Sequence, residues 1–242
     1  MNIVQPYTKM LSPAIGYAIL DANGVPSLVC DKEFTPEDGI ALLRRIEYAC
    51  RISHRSEESI TPDSWKRIIG TVVLEKGDLS VIEHEKVSVE ADIDRGIQTE
   101  WVRHRLMSYT FESTRFVNYV KKMAARFIQP KFTAEQANSG ALTVWTTAIE
   151  AAEGEYQFLV KIGVAPQIAR SVFPLALAGK GLITANLRSW RHFFIMRTTK
   201  EAHPQMKEVT IPLLLKFQAT IPLLFDDIVP EQRQADAMRL LR

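Results

Sequence analysis

Residues 101–116 read WVRHRLMSYTFESTRF. Arg103, His104 and Arg105 stand in a row, Ser108 and Ser113 follow, and Arg115 closes the run before Phe116. Guanidinium groups are planar five-donor forks that suit phosphates and carboxylates, and hydroxyls add neutral donors and acceptors. Just upstream, residues 94–107 carry a helical pattern: Asp94 as N-cap, then Ile97, Trp101 and Arg105 at four-residue steps. On such a helix Arg103 and Arg105 point to different faces, so one stretch can hold two anionic ligands. The plainer alternative is a solvated basic helix end, where arginines favour the dipole.

Outward from this stretch the chain alternates short strands with longer helices. Residues 86–93 place Val87, Val89, Ala91 and Ile93 at every second position, the pattern of a half-buried strand. Thr35-Pro36-Glu37-Asp38 is a helix start, with an N-cap, a proline at the first position and acids in the first turn. Leu43, Ile46 and Cys50 mark its buried stripe. A second helix is expected from Thr61-Pro62-Asp63 to a C-cap at Gly77. The first 34 residues, with Pro6, Pro13, Gly16, Gly24, Pro26 and short apolar runs such as residues 15–20, predict strands and turns.

Downstream, residues 126–129 read as a short strand before Pro130. A long helical region is expected over residues 133–162, bent near Ser139-Gly140, with Leu142, Trp145 and Ile149 on its core face. Its lack of a polar cluster points to packing and subunit contact. A further helix from Asn186 places Trp190, Phe193, Phe194 and Arg197 at three- and four-residue steps. The aromatic stripe reads as core, whereas the polar set Asn186, Arg188, His192 and Arg197 is hard to explain by packing.

Composition narrows the function classes. The chain has 242 residues, 46% hydrophobic and 24% charged, with a net charge of +2. This suits a single domain over residues 1–242 and argues against a general nucleic-acid binder, which carries a clear basic excess. No apolar run of about 18 residues predicts a membrane span. MNIVQPYTKM lacks the pattern of a secretory signal. Two cysteines, Cys30 and Cys50, supply neither a disulfide framework nor a four-ligand zinc site, so no metal and a reducing, cytoplasmic setting are expected. Cys50 lies on a buried stripe, and neither thiol has the cationic surroundings of a nucleophile.

The run Arg103-His104-Arg105, seven residues, Ser113, then Thr114-Arg115-Phe116 resembles the signature of the flavin-dependent thymidylate synthases. Two other blocks agree, in the family's order. Cys50-Arg51-Ile52-Ser53 and Gly77-Asp78-Leu79-Ser80-Val81-Ile82-Glu83-His84 precede the signature. Ala169-Arg170-Ser171-Val172-Phe173-Pro174 and Asn186-Leu187-Arg188 through Arg197 follow it, trailed by Ala202-His203-Pro204-Gln205-Met206. The chain departs from the family's pattern at Asp78 and Val81, at Glu100 (usually glutamine) and at Phe111 (usually glutamate or glutamine), with Glu112 beside it.

The resemblance implies an α+β fold with a small sheet and several helices, built as a homotetramer whose sites are shared between chains. It implies reductive methylation of dUMP to dTMP, with methylene-tetrahydrofolate as carbon donor, NADPH as reductant and FAD as cofactor. Ser80, Arg103, His104, Arg105, Asn186, Arg188 and His192 would hold FAD. Glu100, Arg103, Glu112, Ser113, Thr114, Arg115, Arg170 and Arg197 would hold dUMP, with Arg197 and Ser113 as the catalytic pair. The alternatives are a flavoprotein of this fold that only oxidises NADPH and a nucleic-acid-binding module.

Overall fold

In the computed structural model, which describes residues 1–11, 19–20, 26–27, 33–121 and 123–241, Thr35 and Asp94 start helices where the sequence places them. The first elements are β1 (Asn2–Val4), β2 (Tyr7–Leu11), β3 (Ile19–Leu20), β4 (Pro26–Ser27), α1 (Pro36–Ile52) and α2 (Trp65–Arg67). Then come β5 (Lys86–Asp94), α3 (Arg95–Trp101), β6 (Ser108–Phe111), β7 (Arg126–Ile128), α4 (Ala134–Asn138) and α5 (Ala141–Lys161). The chain continues with α6 (Pro166–Ala169), β8 (Ala178–Asn186), α7 (Leu187–Arg197), α8 (Pro204–Thr220) and α9 (Gln234–Ala237). A four-stranded sheet has the order β2-β5-β8-β6, β1 pairs parallel with β7, and β3 pairs antiparallel with β4. This is the expected α+β class. Most of residues 15–20 and all of Cys30 lie outside the described residues.

Local chemistry explains the element ends. Thr35 and Asp38 form a reciprocal capping box at the start of α1, the side chain of each receiving the other's backbone N–H. Asp94 caps α3 through the Ile97 N–H at 2.9 Å. That helix stops at Trp101, short of the expected end at 107, so Arg103 and Arg105 lie in turns with His104 between them, and not on two helix faces. Two features end it. The next four-residue step falls on exposed Arg105, which offers no apolar face, and the Tyr109 hydroxyl donates to the Trp101 carbonyl at 2.9 Å. The second helix also differs from its expected span. Residues 61–64 form a turn closed by Ser64 Oγ, α2 begins at Trp65, and the chain runs on as a π-helix over Ile68–Glu75. The break at Ser139-Gly140 is real, with Gly140 at φ +87°, a conformation that favours glycine.

The residues divide into two compact units: residues 1–7, 91–103 and 109–182, and residues 8–90, 104–108 and 183–242. The first has a core of Tyr119, Phe127, Ile149, Tyr156 and Leu177, with Trp145 and Phe173 packed against it. Leu142 faces outward there instead of joining Ile149 in the core. The second unit has the aromatic core that the stripe on α7 predicts. Trp190, Phe193 and Phe194 are fully buried; Trp190 meets Phe217, and Phe194 meets Phe217 and Phe225, at ring separations of 5.0–5.9 Å. Such pairs add about 0.5–1.5 kcal/mol each beyond their burial. Leu43, Ile46 and Cys50 of α1 are buried in the same unit.

Candidate functional site

In the second unit the end of β8 and α7 carry three of the seven residues expected to hold the cofactor, Asn186, Arg188 and His192. Asn186 caps α7, its Oδ1 accepting the Ser189 N–H at 2.8 Å. Leu187 N–H donates to the Glu85 carbonyl at 3.0 Å, and Arg45 grips the Glu85 carboxylate through two bonds of 2.7 Å. The Trp190 indole N–H donates to the Val87 carbonyl at 3.0 Å, and buried Arg191 holds Asp227 through two bonds of 2.7 and 2.6 Å. With its inner face fixed in this way, α7 presents Arg188 and His192, one turn apart, to the outside. Arg188 donates to Glu83 at 2.6 Å, which ties α7 to the short 3-10 segment Leu79–His84. In that segment the Ser80 hydroxyl donates to Asp78 at 2.7 Å.

The decisive contact joins the signature to the far end of α7. Arg197 Nε donates to His104 Nε2 at 2.9 Å, across 93 positions of sequence. The imidazole also meets His192 edge-on at 5.7 Å and Phe193 at 4.9 Å. Accepting at Nε2 requires a neutral ring with its proton on Nδ1. The surroundings enforce this: desolvation first, then the Arg197 charge and His192, push His104 down to about 4. His192 is lowered as well, by desolvation and by Arg197.

The first unit holds the other expected set except Arg197, which lies in the second. Arg170 Nη1 donates to buried Thr114 at 2.7 Å, and Ser113 Oγ accepts the Arg115 N–H at 3.4 Å. Arg115 is exposed, with its guanidinium 5.5 Å from the Phe116 ring. Glu100 and Arg103 sit at the end of α3, where Arg103 N–H returns to the Glu100 carbonyl at 3.3 Å. Phe111 lies flat over Gly181, where an added Cβ would stand 2.2 Å from the ring, and stacks on Tyr109 at 6.2 Å. A side chain at position 181 would therefore expel the ring.

The thymidylate synthase complementing protein family model matches residues 37–223. The chain belongs to the flavin-dependent thymidylate synthase family. It is an enzyme of that type, and residues from each of the three blocks of its resemblance occur in the two clusters just described. Among its relatives, a flavin-dependent thymidylate synthase of Corynebacterium aurimucosum is 31% identical over 64% of this chain and 67% of that protein. One from Geobacter sulfurreducens is 27% identical over 81% of this chain and 83% of its own length. The fold also matches the crystal structure of a UMP/dUMP methylase, PolB from Streptomyces cacaoi bound with 5-Br dUMP. That match has a TM-score of 0.71 and 19% identity over 93% of this chain and 96% of the other.

The donor set of this family member suits a dinucleotide. A diphosphate needs cationic donors that solvent can reach, and Arg103, Arg105 and Arg188 are all exposed. Arg188 stands in the first turn of α7, where backbone N–H groups also favour an anion. Cys50, by contrast, is buried, and desolvation pushes its thiol up, so it is no thiolate nucleophile. Sequence reasoning missed the residues that brace the signature from behind, Asp92, Arg95, Tyr119 and Arg126. They lie on separate elements and leave no mark in spacing.

The depressed His104 sets a pH expectation. Above pH 6.5 the ring is neutral both folded and unfolded and contributes no pH dependence. Below 6.5 the unfolded chain takes up the proton first, and the folded state follows only near 4. Denaturant unfolding of the wild type should lose stability as pH falls from 6.5 to about 4, and His104→Gln should lose less over that window. Equal slopes would show that His104 titrates normally.

Proposed function

We propose that this enzyme converts dUMP to dTMP, taking the carbon from methylene-tetrahydrofolate and the reducing equivalents from NADPH. The observation that carries the reading is the Arg197–His104 hydrogen bond, which brings the signature and the last family block to one point in the second unit. FAD, when bound, supplies hydride transfer between NADPH and the nascent methyl group. The residues proposed to hold it are Ser80, Arg103, His104, Arg105, Asn186, Arg188 and His192. Ser113, Thr114, Arg115 and Arg170 are proposed to hold the dUMP phosphate, with Glu100 and Glu112 beside them.

The chemical demand on the protein is to make C5 of uracil nucleophilic without a covalent thiolate. Negative charge on the pyrimidine amide, as after loss of the N3 proton, pushes electron density to C5. Arg197 stays protonated and cannot be the base. Its role is to stabilise the developing anion, an effect worth about 3 kcal/mol for a well-placed group. His104 serves Arg197 by accepting from Nε without adding a competing positive charge.

The assembly proposed is a single-domain chain in a homotetramer with shared sites. Exposed apolar side chains support a second copy, among them Leu106, Phe116, Val144 and Phe158. Among the described residues no helix is long and apolar enough to cross a membrane. The setting proposed is the cytoplasm. Purified protein should be yellow, and Arg188→Ala should lower flavin content per folded chain by about tenfold, the loss of one charge-assisted contact. Full flavin occupancy in a folded Arg188→Ala protein would remove Arg188 from the cofactor site.

A further inference from the structure

The segment 112–115 is held from behind by side chains that no motif marks. Glu112 is the point of attachment. Its N–H donates to the Lys180 carbonyl at 2.7 Å, and its carbonyl accepts from Arg95 Nη2 at 2.8 Å. One carboxylate oxygen accepts the Tyr119 hydroxyl at 2.6 Å, and the other receives Arg126 Nη2 at 3.5 Å. Arg126 also pairs with buried Asp92, so the two carboxylates and two guanidiniums balance in charge. The Glu112 side chain is 13% exposed and faces this network, while Arg115, three residues on, is exposed.

Tyr119 is the rigid member. Its ring is buried and wedged edge-on against Tyr156 at 5.9 Å and Phe173 at 5.5 Å, and its N–H donates to the Tyr156 hydroxyl at 3.3 Å. The phenol therefore cannot swing away without disturbing the unit's core. Burial and the neighbouring Glu112 push it well above the usual phenol range, so it remains a proton donor at any working pH. The network ties β7 to β5 through Arg126 and Asp92, but it does not end there. It converges on an irregular segment whose next residues are the proposed phosphate ligands.

We infer that Tyr119, braced by the core and acting through Glu112, is a positioning residue that fixes Ser113 and Arg115 for the nucleotide phosphate. This rests on the proposal that the segment holds dUMP. A hydrogen bond from a neutral donor to a charged acceptor is lost in Tyr119→Phe with the ring packing kept. The expected result is a rise of about tenfold in the KM and Kd for dUMP. Flavin content, NADPH oxidation without dUMP and kcat at saturating dUMP should stay near wild type, which a merely structural loss would not arrange. Glu112→Ala should raise both constants at least as much and provides the same reading should Tyr119→Phe not fold.

Ser113→Ala and Arg115→Ala, measured beside them, separate the two ideas. If these weaken dUMP binding and Tyr119→Phe and Glu112→Ala do not, the positioning role is overturned and the phosphate site stands. If Ser113→Ala and Arg115→Ala also leave dUMP affinity at the wild-type value, the phosphate site itself falls and the inference with it.

Discussion

Replacing Arg197 by alanine should lower dTMP formation on the order of 100-fold in protein that is folded and flavin-loaded, the loss of one group stabilising charge in the transition state. The geometry makes this residue a fixed charge. Its Nε is held by His104 at 2.9 Å, and its carbonyl accepts the Thr210 hydroxyl at 2.9 Å at the end of α7. Arg197→Lys should be nearly as damaging, because an ammonium cannot reproduce the planar fork that engages His104 and is proposed to meet the pyrimidine. NADPH oxidation should suffer less, since no pyrimidine anion forms in it. Single-turnover methylation and steady-state NADPH oxidation, compared in the same variants, check this. Equal loss of both would assign Arg197 to cofactor binding or to folding.

The second large effect concerns stability. Glu47 and Arg51 form an ion pair one turn apart on α1, with side chains 0% and 5% exposed and a contact of 2.7 Å. Arg51 belongs to the first block of family resemblance, yet the structure gives it a structural partner. Removing one member of a buried pair strands the other charge and costs about 3–5 kcal/mol. Glu47→Ala should therefore lower the melting temperature by roughly 10 °C, at about 2–4 °C per kcal/mol for a chain of this size. Replacing both, as Glu47→Leu with Arg51→Met, should recover most of that loss, because the pair also carries its own desolvation cost. Glu47 Oε2 is buried without a hydrogen-bond partner among the described residues, which already weakens the pair. Calorimetry on the single and double variants decides it. An unchanged melting temperature in Glu47→Ala would mean that water reaches Arg51.

Much of the fold was legible because its signals are local. Thr35 and Asp38 cap α1 and Asp94 caps α3 at the positions their side chains predict, and α7 starts beside Asn186 as expected. The period-two pattern of Val87 to Ile93 became β5, and the aromatic stripe of α7 became core. The end of α3 was not legible, because the group that satisfies the Trp101 carbonyl is the hydroxyl of Tyr109, eight residues on. Leu142 was misplaced because α5 is apolar on more of its surface than its own core uses, with Val144 and Phe158 also exposed.

The candidate site shows the same division. The cationic residues were legible by type and by resemblance. What each one touches was not, since Arg197 and His104 lie 93 positions apart and Arg170 and Thr114 lie 56 apart. The neutral state of His104 depends on that tertiary contact and on burial, and no sequence pattern carries it.

The most direct test of the whole account is a product measurement on the purified, flavin-loaded chain. Supplied with dUMP, methylene-tetrahydrofolate and NADPH, it should form dTMP, identified by chromatography, in proportion to the NADPH consumed in coupled turnover. NADPH oxidation that proceeds with no dTMP formed, in protein shown to bind dUMP, would contradict the account and leave an oxidase on this fold.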